Sequence, residues 1–216
     1  MTPGSTRGFR RRRLGPLAVF LFLTPVLGAQ NPALPVYGGG FAPGLELAAS
    51  VVFMGEESRM GDGTALGATG TLAIGRLGVA ASAARFDVAG NGGRFGAGVQ
   101  AGVKVVGGDF SPLAVFALGG IGTIEDDDDA SSTQFVPLGM GFTLTLPTPL
   151  LSIKPWLAPR LDMTRTSFQG ESDWNSLFGL SAGVDLTLLS GFAFRAAYDY
   201  LKNYDPIVAF GAAMRF

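Results

Sequence analysis

The 216 residues predict an all-β fold, a closed antiparallel transmembrane up-and-down β-barrel of 10 strands, with eight as the alternative if its weakest segments merge. Three observations predict it. Mean hydropathy is positive, yet beyond residue 30 no apolar run approaches the ~18 residues that mark a spanning helix. Apolar side chains instead recur at every second position in segments of about ten residues, and ten residues tilted ~45° climb about 24 Å, close to the ~25 Å apolar band of a lipid-embedded barrel. The connections alternate between polar, charged stretches and short turns, an asymmetry that a soluble meander has no reason to show.

The first 44 residues precede the barrel. Arg7 and Arg10 to Arg13 are followed by an apolar run from Leu14 to about Leu27 and then by Gly28-Ala29, which reads as a secretory signal peptide over residues 1–29 cut after Ala29. Its apolar core of roughly 14 residues is too short to span a membrane. Removing it takes five of the 16 basic residues and leaves 11 against 17 acidic ones, a net charge of −6. That balance disfavours nucleic acid as a partner. Residues 30–44 hold Pro32, Pro35, Gly38 to Gly40, Pro43 and Gly44, and read as an irregular periplasmic lead-in.

The strands follow over residues 45–216. Leu45 to Met54 sets Leu45, Leu47, Ala49, Val51 and Phe53 against Glu46, Ala48, Ser50 and Val52. A carboxylate and a hydroxyl on the second face point to a wet interior. Leu66 to Gly75 opposes Ala68, Leu72 and Ile74 to Thr69 and Thr71. Leu77 to Asp87 is so rich in alanine that its facing is ambiguous. Phe95 to Val106 alternates best, with Phe95, Val99, Val103 and Val105 opposite Gln100, Lys104 and three glycines. Leu113 to Ile124 is apolar on both faces, which leaves its register open. Gln134 to Leu146 sets Val136, Leu138, Met140, Phe142 and Leu144 against Thr143, Thr145 and two glycines.

Leu150 to Thr166 sets Leu151, Ile153, Leu157, Leu161 and Met163 against Lys154, Trp156, Arg160, Asp162 and Thr164. Pro155 and Pro159 each remove a ladder donor there, so a bulge is expected. Leu177 to Leu189 sets Phe178, Leu180, Val184 and Leu186 against Ser181, Asp185 and Thr187. Phe192 to Tyr200 sets Phe192, Phe194, Tyr198 and Tyr200 against Arg195 and Asp199. Ile207 to Phe216 closes the even count, with Val208, Phe210, Ala212, Met214 and Phe216 on the face opposite Arg215.

The connections Gly55–Ala65, Val88–Arg94, Glu125–Thr133, Ser167–Ser176 and Leu201–Pro206 are polar and read as outer loops. Aromatic residues gather at strand ends, Phe53, Phe95, Phe135, Phe178 and Tyr200 toward the loops and Phe110, Phe192 and Phe216 toward the turns. Such pairs of girdles sit at the two interfaces of a bilayer.

The last strand resembles the terminal strand of bacterial outer-membrane β-barrels, whose alternating apolar positions and final Phe form an assembly signal. The matching positions are Val208, Phe210, Ala212, Met214 and Phe216. At the level of pattern, residues 45–216 resemble the small barrels of the OmpA, OmpX and OmpW kind, members of the porin-like group. The resemblance implies a Gram-negative outer-membrane location, both termini in the periplasm, lipid and lipopolysaccharide as surroundings, and the barrel-assembly machinery as a partner during biogenesis. Oligomeric state has no signature here.

The mature chain has no His and no Cys, which excludes imidazole or thiolate metal sites and His-based triads. Outer-membrane barrel enzymes resemble the chain in size but rely on a His, so no enzymatic activity and no cofactor are expected. Carboxylate-only catalysis stays open.

The alternation sends Glu46, Lys104, Lys154, Arg160, Asp162, Asp185, Arg195, Asp199 and Arg215 into the lumen. Nearly balanced charges read either as an ion-pair network that fills the interior or as a narrow polar pore. The network is preferred, because large pores need more strands. Glu125, Asp126, Asp127, Asp128 and Asp129 form the densest charge run, a weak candidate for Ca²⁺ or for ions shared with lipopolysaccharide. It lacks the ligand alternation of a calcium loop and reads first as a solvated face.

On this map 12 loop and rim acids face only Arg59, Arg85, Arg94, Arg165 and Lys202, so the outer cap is acidic. A membrane barrel that is structural or passes small solutes is expected. The alternative is a soluble periplasmic barrel of lipocalin type, its apolar positions turned inward.

Overall fold

The computed structural model describes residues 41–89, 92–107, 111–125, 131–168 and 171–216. The signal segment 1–29, most of the lead-in, Phe110 and Asp126 to Asp129 lie outside the described residues. Ten principal strands form: β1 Gly44–Met54, β2 Gly63–Ile74, β3 Leu77–Val88, β4 Gly92–Val106, β5 Leu113–Glu125, β6 Ser131–Leu144, β7 Leu151–Phe168, β8 Glu171–Leu188, β9 Phe192–Leu201 and β10 Ile207–Arg215. A two-residue extension of β6, Leu146–Pro147, also pairs with β7. Each strand is antiparallel to its sequence neighbours, and β1 pairs with β10 from Glu46↔Arg215 to Phe53↔Val208. The sheet therefore has no free edge, and the eight-strand alternative falls.

Facing follows the period-two pattern, since a slip of one residue would turn every apolar side chain inward. The two ambiguous strands are settled by pairing. In β3, Leu77, Val79 and Ala81 face out while Ala80, Ala84, Phe86 and Val88 face in. In β5, Phe116, Leu118 and Ile124 face in.

The expected bulge at the prolines does not form. Pro155 and Pro159 keep continuous register with β8, and the β6–β7 ladder skips the positions opposite them without shifting. The missing donors thus fall on one side of β7 only. The irregularity lies instead in β4, between Lys104 and Val106.

Strands β7 and β8 run 18 residues each, which at ~3.4 Å and ~45° tilt is about 43 Å of height against a ~25 Å band. They swallow most of the polar stretch read as the loop Ser167–Ser176. Above the bilayer a strand needs only ladder hydrogen bonds, so polar side chains do not end it.

The interior is packed, in two apolar clusters. At the turn end, Phe41 stacks edge-on against Phe116, ring centroids 6.2 Å apart, with Ala73, Ala80, Leu118 and Ala158 around them. Its ring lies where Gly78 and Gly102 carry no side chain; a Cβ would come within 1.9 and 2.2 Å of it. The lead-in therefore ends in a stopper for which two strands leave a slot. At the loop end, Val52, Met54, Met60, Phe86, Ile124, Phe135, Trp156 and Ile207 form the second cluster. Phe135 belongs to it, only 3% exposed, and so is not a girdle aromatic. Its parity, opposite to Val136, explains this.

Candidate functional site: a filled lumen with an outer cup

Between the two apolar clusters sit two arginine-centred networks. In the first, Arg160 on β7 donates from Nε to both oxygens of Asp162, at 2.9 and 3.0 Å. Its Nη1 and Nη2 donate to the two oxygens of Asp199 on β9, at 2.6 and 2.9 Å. Nη1 also donates to Ser181 on β8, whose hydroxyl in turn donates to Asp199. Arg160, Asp162, Ser181 and Asp199 are all buried. Gly139 and Gly179 on the flanking strands give the arginine its room, since a Cβ on either would come within 3 Å of it. Planar bidentate pairing suits this geometry, and a lysine would not reproduce it.

In the second network, Arg195 on β9 pairs with Asp185 on β8 and with Glu46 on β1, each at 3.0 Å. Glu46 also accepts from Arg215 Nε on β10 at 2.6 Å. Trp156 donates its indole N–H to Asp185 at 3.3 Å. Lys154 stands opposite Asp185 in register, beside this group. Lys104 lies apart, its amine 6.0 Å over the Phe116 ring near the turn-end stopper. Seven of the nine lumen residues read from sequence thus gather into two clusters, and among the described residues Lys104 and Lys154 join no ion pair.

The connection between β1 and β2 folds into the barrel mouth, where sequence placed an exposed polar loop. Ser58 and Met60 are buried. The Ser58 hydroxyl donates to Gly61 O at 2.7 Å and accepts from Met60 N at 3.3 Å, which makes a tight turn. Asp205, between β9 and β10, accepts from Glu57 N at 3.1 Å, and its own N–H donates to Glu57 O at 3.1 Å. The turn aims Arg59 inward, its guanidinium 4.2 Å from the centroid of the Phe135 ring. Arg59 is therefore not part of the outer cap. Burial pushes its pKa down to about 10, with Asp162 opposing the shift, so it stays charged at neutral pH. Among the described residues no carboxylate pairs with it.

Asp205→Ala will release this turn. Losing the hydrogen bond to Glu57 costs about 1–2 kcal/mol of local order, so trypsin should cut after Arg59 about tenfold faster than in the wild type, read by mass spectrometry of the native barrel in detergent.

Arg59 lines a cavity of about 200 Å³ toward the loop end, together with Arg94, Thr133, Thr164, Thr166, Asn175 and Tyr204 among others. The sequence placed Arg94 in the outer cap and Thr164 on an inward face, but marked none of these residues as a site. Alternating polarity in β7 signalled Thr164, but the convergence of β4, β6, β7, β8 and two loops on one volume has no local signature.

The outer face is the inverse of the inner one. Leu45, Leu47, Leu72, Ile74, Val79, Val103, Leu138, Met140, Leu157, Phe194 and Phe210 are all exposed, Ile74 by 74% and Phe210 by 52%, while Asp185 is wholly buried. A continuous apolar belt around a closed, edge-free sheet with a charged interior is stable only in lipid. The chain is a small transmembrane barrel of the outer-membrane type. The lipocalin-type alternative, with these side chains turned inward, is overturned by the same exposures.

No family model matches this barrel, and no curated protein matches it. Solved structures similar to it include the β domain of the Bordetella autotransporter BrkA, 13% identical with TM-score 0.49 over 80% of this chain and 99% of that one. LpxR from Salmonella typhimurium is 10% identical with TM-score 0.46 over 79% of this chain and 100% of that one. Neisserial surface protein A is 13% identical with TM-score 0.38 over 80% and 97%. None of these likenesses carries a function to this barrel.

The remaining sequence-read positions divide clearly. Phe210, Met214 and Phe216 of the terminal-strand pattern are exposed on the outer face, with Val208 and Ala212 half-buried beside them. Phe53, Phe95, Phe178 and Tyr200 are exposed at the loop end, as a girdle requires. Glu125 is exposed at the end of β5, and among the described residues no cluster of three acidic groups could hold a metal ion.

Proposed function

We propose that this barrel serves the bacterial outer membrane as a plugged, non-enzymatic structural element and not as a solute channel. The observation that carries the reading is the succession of side-chain clusters along the lumen, the Phe41–Phe116 stopper, the two arginine networks and the inward turn at Met60. The lumen carboxylates Glu46, Asp162, Asp185 and Asp199 are all engaged by arginines, so none is disposed as a general acid or base toward a substrate. The short turns, the stopper and both termini face the periplasm, and the tall β7–β8 hairpin faces outward. Lipid and lipopolysaccharide contact the belt, and the barrel-assembly machinery reads Val208 to Phe216.

Purified barrel inserted into planar bilayers will give no unitary conductance steps. Reproducible steps from the wild type would overturn this reading in favour of a narrow channel.

A further inference from the structure

The cavity toward the loop end is lined by charged and polar side chains, and the plugged-barrel reading gives it no task. Arg59 lines it, a cation drawn into the barrel mouth by a turn that Ser58 and Asp205 hold in place. The cation–π contact with Phe135 steadies the guanidinium but does not neutralise it. The carboxylates beneath, Asp162 and Asp199, are both taken up by Arg160. Arg94 also lines the wall, and Thr133, Thr164, Thr166, Asn175 and Tyr204 add hydroxyl and amide groups. At ~30 Å³ per water, about 200 Å³ holds six or seven waters, roughly the room of one sugar ring or one phosphate with its hydration.

We propose that this cup binds a small ligand carrying an oxyanion, a carboxylate or a phosphate, with Arg59 as its anchor. The Arg59 guanidinium favours a planar or tetrahedral oxyanion over a neutral solute. The neighbouring hydroxyls and amide suit the polyhydroxylated body of a sugar acid or sugar phosphate. Because Arg59 is already positioned, little ordering is left for the ligand to impose. Charge selection happens below the rim, inside the wall, where salt screens less than on the open surface.

The test uses the full chain folded in detergent micelles and calorimetric titration with glucuronate, glucose 6-phosphate, inorganic phosphate and glucose. The charged probes should bind saturably, at least about tenfold more tightly than glucose. Inorganic phosphate matching the sugar conjugates identifies the free ion as the ligand; a preference for the conjugates assigns the hydroxyl wall to the sugar. Both results support the proposal. Arg59→Met should weaken the charged probes at least about tenfold, and Arg59→Lys should recover part of that loss. Heat-modifiable gel mobility verifies that each variant is folded. Thr164→Val, which preserves shape and removes a hydroxyl from the cup, carries the test if Arg59→Met does not fold. Glucose binding as tightly as the charged probes, no saturation by any of them below about 10 mM, or affinity unchanged in both Arg59→Met and Thr164→Val would overturn the proposal.

Discussion

Arg160→Met will lower the stability of the folded barrel by about 3–5 kcal/mol, the range seen when one member of a buried ion pair is removed and its partners are left behind. The side chain satisfies Asp162, Asp199 and Ser181 at once, in a part of the lumen that water does not reach freely. Methionine follows the arginine stem and leaves the guanidinium's space beside Gly179 empty, so the loss combines charge and packing, and a triple variant that shares the void separates the two. Urea titration in micelles, read by the heat-modifiable gel shift, measures it. The triple variant Arg160→Met, Asp162→Asn, Asp199→Asn should recover more than half of the loss, because neutral partners no longer demand a counter-charge. A single variant as stable as the wild type would mean that the two carboxylates are solvated and the lumen is wet.

Met140→Arg will cost about 2–4 kcal/mol in lipid, the penalty for an arginine at mid-depth on the outside of a barrel. Met140 is exposed on β6, across from Ala117 on β5, near the middle of the belt. The same substitution on a water-facing strand would cost a fraction of this. Reversible folding into vesicles of short-chain lipid, compared between wild type and variant, gives the difference. A cost under about 0.5 kcal/mol would place this face in water and remove the membrane reading.

The strands were legible because lipid and water sort side chains so strictly. Leu45, Leu47 and Phe53 alternate with Glu46 and Val52, and the barrel keeps that order. Where one face lost contrast, as in the alanines of β3 or the apolar β5, only pairing with β2, β4 and β6 decided the facing. The sequence reading ended β7 too early, at Thr166, and began β8 too late, at Leu177, because polar residues beyond the bilayer extend a ladder as well as apolar ones.

The mouth was illegible for a different reason. Glu56, Glu57, Ser58, Arg59 and Asp62 look like solvent-facing loop, and the hydrogen bonds that fold the turn inward join Glu57 to Asp205, 148 positions away. Met60 was the one local sign of an inward turn. Phe41 had even less to mark it, an aromatic among glycines and prolines whose slot is cut by Gly78 and Gly102.

The second arginine network straddles the join between β1 and β10. Glu46 reaches Arg195 across 149 positions of sequence and Arg215 across 169, and Glu46 and Arg215 are also directly paired in the ladder. Neither contact can exist in a partly assembled, still open sheet, so Glu46 lacks both of its arginines until the first and last strands meet, while Arg195 can already hold Asp185 on the neighbouring strand. Zipping these strands together therefore acts as a latch on folding: an unclosed intermediate holds the Glu46 carboxylate in an increasingly dry environment without its two arginines, and that penalty disappears only when the cylinder shuts.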